Sequence, residues 1–270
     1  MTATPAYVSR FLVPKDGHDA DQCEDALVVS PLVECDQPIA DAFLAVLCDG
    51  ASESLLARDW ARLLAEELAS RVERRPRTVG SPTAAANAIA AAARGWDSWL
   101  ASYLERRENG GKPVAWYEKP GLERGAYATA LAVSVRADEK RWRWNAAALG
   151  DTCLFHVRGD RLLYAFPVSD PVDFGVTPAL AGSRNHDAAL LARHVKVAAG
   201  ECESGDALFM ATDALAAWFL TSTATGKQPW NLLREFAGRE PSEFEDFIAS
   251  LRSVGDMRND DVAFVHFDIG

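Results

Sequence analysis

The chain has 270 residues, 49% of them hydrophobic, and a formal net charge of −11. That length and balance suit one large domain or two small ones with a full core, and exclude a disordered, collagenous or solenoidal chain. The acidic surplus argues against nucleic acid as a partner, because affinity for a phosphate backbone comes from clustered Lys and Arg, and it is compatible with divalent cations.

Residues 7–13 (YVSRFLV) read as an opening strand, turned by Pro14-Lys-Asp-Gly17. An acidic run ending in Glu24-Asp25 leads into a second strand over 26–30, and 31–41 reads as a loop. Residues 42–48 (AFLAVLC) form a continuous apolar run of strand length that stops at Asp49-Gly50. Antiparallel pairing of these two strands brings Glu24 and Asp25 close to Asp49.

A helix over about 54–73 follows, with Leu55, Leu56, Trp60, Leu63, Leu64 and Leu68 at spacings of three and four. A second begins near Ser81-Pro82-Thr83, where Pro suits a first helical position. It is alanine-rich to Ala93 and runs to about 107, and its stripe of Trp96, Trp99, Leu100 and Tyr103 reads as core packing.

From 125 the pattern becomes that of a β meander, with strands over 125–135, 141–149, 152–157 and 161–166 and a turn at 137–140. Arg141-Trp-Arg-Trp144 alternates between one wet and one packed face. Residues 167–191 are the least regular, and a loop this long inside a domain is often functional. Strands over 194–198 and 207–211 come next, the latter ending in Thr212-Asp213 before a helix from 214. Phe244, Phe247, Ile248 and Leu251 mark a helix after Pro241, and Asn259-Asp-Asp261 enters a last strand. Helix pairs between runs of antiparallel strands predict a layered α+β fold. No repeat or linker divides 1–270, so a single domain is expected.

The five cysteines are scattered, without a CxxC pair, and predict neither a zinc ribbon nor a disulfide framework. Cys23, Cys48 and Cys153 read as small buried packing residues. No stretch has the pattern of a signal peptide, and none approaches the roughly 20 apolar residues of a membrane span. The expected setting is the cytoplasm, with no membrane partner.

Four carboxylates cap apolar strand runs: Asp49, Asp151, Asp213 and Asp260, the last beside Asp261. An acid at the end of a buried strand is costly unless it finds a cation or a donor. None of these has an obvious basic partner beside it in sequence. Oxygen-only donors favour Mg or Mn over Zn, capping of turns and helices being the alternative for any one acid.

Taken in order, Glu24-Asp25, Asp49-Gly50, Gly125-Ala-Tyr-Ala-Thr-Ala130, Leu149-Gly-Asp-Thr152, Met210-Ala-Thr-Asp213 and Asn259-Asp-Asp-Val262 resemble the successive motifs of the metal-dependent type 2C protein phosphatases, in their bacterial form. The resemblance covers nearly the whole chain. It implies a four-layer αββα sandwich, two antiparallel β-sheets flanked by helix pairs, with a two-metal centre of Mn or Mg at one end. Asp49 would bridge both metals, with the Gly50 carbonyl on one and Asp213 and Asp260 on the other. Glu24 and Asp25 would ligate or orient metal-bound water, and Asp151 with Asp213 would take a third, weaker ion. The implied reaction is in-line attack on phosphoserine or phosphothreonine in proteins by water whose pKa the cations lower from about 15.7 towards neutrality. No covalent intermediate is needed, so no cysteine serves as nucleophile. The resemblance further implies signalling by dephosphorylation, a partner Ser/Thr kinase, a monomer, and a flap over about 167–192.

Two departures bear on catalysis. The Asp-Gly-His of many relatives is Asp49-Gly50-Ala51 here, leaving Glu53 or metal-bound water as proton donor. The phosphate-gripping Arg four residues before Glu24 is Ala20, with His18 nearby as a substitute. Asp25, Glu53 and His18 are therefore the catalytic candidates. A milder change puts Ala214 where Asp-Gly is usual. Ala20 and Ala51 carry the alternative, a weak or inactive relative serving as a regulatory binding module. A metal phosphodiesterase or nucleotide hydrolase is the third possibility, against which the net charge and the missing His ligands weigh.

Overall fold

The computed structural model describes residues 4–138, 141–175 and 177–270. Residues 139–140 of the predicted turn at 137–140, and residue 176 of the predicted loop, lie outside the described residues, as do residues 1–3. In chain order, β1 (Ala6–Val13), β2 (Ala26–Ser30) and β3 (Ala42–Cys48) precede two long helices, α1 (Ala57–Arg74) and α2 (Pro82–Asn109). A short α3 (Lys119–Arg124) leads to β4 (Tyr127–Ala128), β5 (Ala130–Asp138), β6 (Arg141–Leu149), β7 (Cys153–Arg158) and β8 (Arg161–Phe166). Then come β9 (Ala181–Gly182), α4 (Ala188–Ala192), β10 (Lys196–Cys202) and β11 (Asp206–Ala211). Helices α5 (Asp213–Ala224), α6 (Pro229–Arg234) and α7 (Pro241–Ser253) precede the last strand, β12 (Val262–Ile269).

Two antiparallel sheets form, ordered β1-β12-β11-β7-β8 and β10-β6-β5-β3-β2. Phe43, Leu47 and Val133 of one face Leu208, Met210 and Val265 of the other across a shared core, where Phe43 stacks on Phe267 at 4.8 Å. Helices α1 and α2 cover the outer face of the β3 sheet through Trp60, Leu64, Leu68 and Trp96. Helices α5 to α7 cover the other outer face, with Phe219 stacked on Phe155 at 4.1 Å. The result is the expected αββα sandwich. Because both faces of each central strand are covered, β3 and β11 are continuous apolar runs and not alternating ones. β6 does alternate: Trp142 and Trp144 are buried, while Arg141 and Arg143 are exposed.

The chain departs from the sequence expectation where backbone serves the rim of the sandwich. The strand predicted over 125–135 is split at Thr129, and β4 leaves the sheet to pair with β9, Tyr127 opposite Gly182. Its carbonyls and amides are used instead by the Asp49 turn: Thr129 N donates to Asp49 O at 2.8 Å, and Ala51 N to Tyr127 O at 2.9 Å. Helix α1 begins after Leu56, whose φ of 66° is left-handed, so the three residues predicted at its start belong to that turn. α3 and α6 are too short to show a period; α6 opens on Pro229, and α3 has Pro120 at its second position. The predicted loop over 167–191 holds a 3-10 turn, β9 and α4, and β10 starts two residues later than expected and runs on to Cys202. Cys23, Cys48 and Cys153 are buried, as is Cys202, and Cys35 is exposed. Among the described residues no helix is long and apolar enough to cross a membrane.

Candidate metal centre

Strand pairing delivers the acids to one end. Ala26 lies opposite Cys48, so Asp25 and Asp49 flank adjacent strand ends. In the facing sheet, Ala211 lies opposite Phe264 and Cys153. Asp213 follows the end of β11, while Asp151 and the Asp260–Asp261 pair precede the starts of its two neighbours. All of them therefore leave the sandwich at the same rim.

Side-chain hydrogen bonds close the two sheets over each other there. The Thr212 hydroxyl donates to Asp25 Oδ2 at 2.8 Å and accepts from Ala263 N at 2.9 Å. The hydroxyls of Thr129 and Thr152 share a hydrogen bond of 2.7 Å. Asp261, buried, accepts from the backbone N–H groups of Lys15 at 2.7 Å and Glu24 at 2.8 Å. Gly50 is required by space: a Cβ there would meet the Glu24 carbonyl oxygen at 2.7 Å.

Crowding of like charges shows in the carboxyls. Burial, then the charge of Asp49, raises Asp25 well above the usual carboxylate range, against the Thr212 hydrogen bond. Asp49 is pushed up to about 7 by burial and by the Asp260 and Asp151 charges, opposed by Arg258. Asp151 is raised by burial. Among the described residues, Asp151 Oδ1 and Asp213 Oδ1 are buried without a hydrogen-bond partner.

The rim does hold basic partners, contrary to the sequence expectation. The Arg258 guanidinium pairs with Asp213 and, at 3.4 Å, with Asp260. Lys15 Nζ donates to Glu24 Oε2 at 2.9 Å, and the Ser52 hydroxyl donates to the same oxygen. Sequence reasoning misses Lys15 and Thr212, whose partners come from other elements, and Arg258, for which nearness to Asp260 is the one signal.

Of the predicted residues, then, Asp25, Asp49, Asp151, Asp213 and Asp260 share one neighbourhood, with the Gly50 backbone beneath it. Glu24 stands at its edge, its carboxylate engaged by Lys15 and Ser52. Glu53 is exposed and lines a cavity of about 210 Å³ with Ala51, Arg124, Tyr127 and Leu180. His18 is exposed, and its backbone N–H donates to Lys15 O at 3.0 Å.

Among the described residues, one group of three ligand-type side chains has its donor atoms all within 4.8 Å of one another, and it lies elsewhere: His156, Cys202 and Asp206. β11 runs from Asp206 to the rim, so this group sits at the opposite end of the sandwich. Asp206 is already saturated there, accepting from Arg158 Nε at 2.7 Å and Nη2 at 2.8 Å, from Glu203 N at 2.9 Å, and pairing with His156 Nε2 at 2.9 Å. It is a polar staple between β7 and β11. Asp206→Ala is expected to cost about 2–3 kcal/mol by leaving the buried His156 ring and the Glu203 N–H without their partner, the half-exposed Arg158 being free to turn to solvent, read by thermal or urea melting, with Mn²⁺ affinity unchanged.

No protein-family model matches the sequence, and no curated protein sequence matches it. Solved structures do match in fold. The chain is similar to the serine/threonine phosphatase Stp1 from Staphylococcus aureus, at 14% identity over 100% of this chain and 97% of that one, with a TM-score of 0.59. It is similar to PppA, described as a key regulatory component of T6SS in Pseudomonas aeruginosa, at 15% identity over 100% of both chains and a TM-score of 0.57. It also resembles the catalytic domain of the serine threonine protein phosphatase PstP in complex with 2 manganese ions, at 16% identity over 98% of this chain and 99% of that one, with a TM-score of 0.54. The αββα sandwich of this chain is the fold that these three structures share.

Proposed function

We propose that the chain is a metal-dependent phosphatase of the type 2C family that hydrolyses phosphoserine and phosphothreonine in proteins. The observation that carries this reading is the meeting of Asp25, Asp49, Asp151, Asp213 and Asp260 at one rim of the sandwich. The donor set suits hard divalent cations. It is all oxygen, two of its carboxylate oxygens are buried without partners, and its charges are incompletely neutralised.

Asp49 would hold two cations jointly, with the Gly50 carbonyl on one and Asp213 and Asp260 on the other, and Asp151 would hold a third. Bound there, Mn²⁺ or Mg²⁺ supplies Lewis-acid charge for the phosphoryl oxygens and lowers the pKa of a water. Asp25, with one oxygen fixed by Thr212, would orient that water. Glu24 is positioned by Lys15 and Ser52 at the edge. Glu53, beside the cavity next to Ala51, is the better placed candidate to protonate the leaving alkoxide. His18 lies exposed in the connection between β1 and β2, with no side-chain contact that ties it to the rim acids among the described residues. The same reading takes 1–270 as one cytoplasmic, monomeric domain with a flap over 167–192, acting opposite a Ser/Thr kinase.

Ala20 and Ala51 favour a second reading, a regulatory module of little activity, and the Arg258 contact with two proposed ligands adds to it. Hydrolysis of p-nitrophenyl phosphate and of phosphoserine and phosphothreonine peptides, with and without Mn²⁺, decides between them. Wild type no faster than Asp49→Asn selects the regulatory reading.

Cation binding should also be visible without turnover. At 100 times its dissociation constant, one Mn²⁺ adds about 2.7 kcal/mol, so the melting temperature should rise by roughly 5 to 10 °C. Scanning fluorimetry with Mn²⁺, reversed by EDTA, measures this.

A further inference from the structure

Arg258 occupies a position that the proposed cations also need. Its guanidinium pairs with Asp213 and Asp260 together, from the connection between α7 and β12. The side chain is 46% exposed, so its anionic partners and not core packing hold it there. Its charge leaves the rim under-neutralised, because Asp213 keeps Oδ1 buried and unpartnered, as does Asp151, among the described residues. With the guanidinium in place, no three rim carboxylates stand as close together as His156, Cys202 and Asp206 do, among the described residues.

We propose that Arg258 is a tethered counter-ion that competes with a divalent cation for Asp213 and Asp260, and that a phosphoryl oxyanion at the rim draws it off them. The competition follows from the lone pairs involved. A guanidinium on Asp213 and Asp260 takes lone pairs that a hard cation needs and repels its charge, so each weakens the binding of the other. A released guanidinium is an exposed planar fork of N–H donors, the shape that grips a phosphoryl group in two places. It thereby offers the charge that Ala20 does not. Linkage makes the effect reciprocal: whatever holds the released guanidinium tightens cation binding, and the cation tightens oxyanion binding by the same factor. The oxyanion half rests on the phosphatase reading; the competition half does not.

Isothermal titration of Mn²⁺ into metal-stripped wild type, Arg258→Met and Arg258→Lys tests this, each with and without phenylphosphonate as a non-hydrolysable probe. Arg258→Met should bind Mn²⁺ about tenfold more tightly than wild type, within the usual span of coupling energies. Arg258→Lys, which keeps the charge and loses the fork, should fall between them. Phenylphosphonate, which also meets the cation directly, should tighten Mn²⁺ binding to wild type by a larger factor than to Arg258→Met. Equal Mn²⁺ affinity in wild type and Arg258→Met overturns the proposal, as does a phosphonate effect as large in Arg258→Met as in wild type. Aryl phosphate hydrolysis measured alongside keeps the two readings apart. A tighter Arg258→Met with no turnover in any form supports the counter-ion and removes the phosphatase.

Discussion

Asp49→Asn is expected to lower Mn²⁺-dependent hydrolysis of p-nitrophenyl phosphate by about 10³-fold or more, and at the same time to stabilise the metal-free protein. Both effects have one cause. Asp49 closes β3 at a half-buried position, among the charges of Asp260 and Asp151. In the proposed centre it is the carboxylate shared by two cations, so an amide there weakens both. Without cations, the same carboxylate is a net repulsion. Its folded pKa of about 7 lies above its usual value of 3.8. A raised carboxyl contributes stability that is complete below the unfolded value and is lost as pH climbs through the folded one. The metal-free wild type should therefore melt lower than Asp49→Asn above pH 7, and the gap should close as pH falls towards 4. Added Mn²⁺ should reverse the order, since wild type alone keeps the full site. A metal-free Asp49→Asn that melts below wild type at pH 8 sinks the crowded-acid account, whatever its activity.

Much of this rim is legible in the sequence because it is made from strand ends. The runs 26–30 and 42–48 are apolar throughout, have strand length and stop at acids, so both their limits and the meeting of Asp25 with Asp49 follow from local pattern. The same holds for Asp213, where an apolar run ends and a helix starts at once. What escapes is anything carried by a partner from another element. Residues 127–128 have strand composition but give their backbone to the Asp49 turn and to β9, which tertiary hydrogen bonding decides and propensity does not. Lys15 has the composition of a turn residue, and only the closure of the sheets sets its ammonium on Glu24. Arg258 sits two positions from Asp260 in plain view, yet an exposed Arg in a connection has no pattern that marks it as the counter-ion of Asp213. Glu53 and His18 are near the motifs along the chain, but the turn after Gly50 and the loop before Ala20 leave both side chains exposed.

Asp260 and Asp261 are adjacent acids that the sequence cannot rank, and substitution should separate them sharply. Side chains of neighbouring residues at a strand entry point to opposite sides. Asp261 turns inward and is 4% exposed, accepting from two backbone N–H groups, those of Lys15 and Glu24, which bind β1 and the start of β2 to β12. Asp261→Ala strands both donors, and each unsatisfied N–H costs about 1–3 kcal/mol. A loss of roughly 3 kcal/mol is expected, lowering the melting temperature by about 10 °C. Asp261→Asn should fall between, since its amide oxygen accepts one bond while its NH₂ faces the other donor. Asp260 points to the rim, with a side chain 36% exposed and a 3.4 Å pair to Arg258. Surface pairs of that kind are worth about 0–1 kcal/mol, so Asp260→Asn should melt close to wild type without metal. It should nonetheless lose most of the Mn²⁺-induced rise in melting temperature and most of the hydrolysis. If Asp260→Asn keeps the Mn²⁺ response while Asp261→Asn loses it at full metal-free stability, the two roles are exchanged and the ligand set proposed for the rim is wrong.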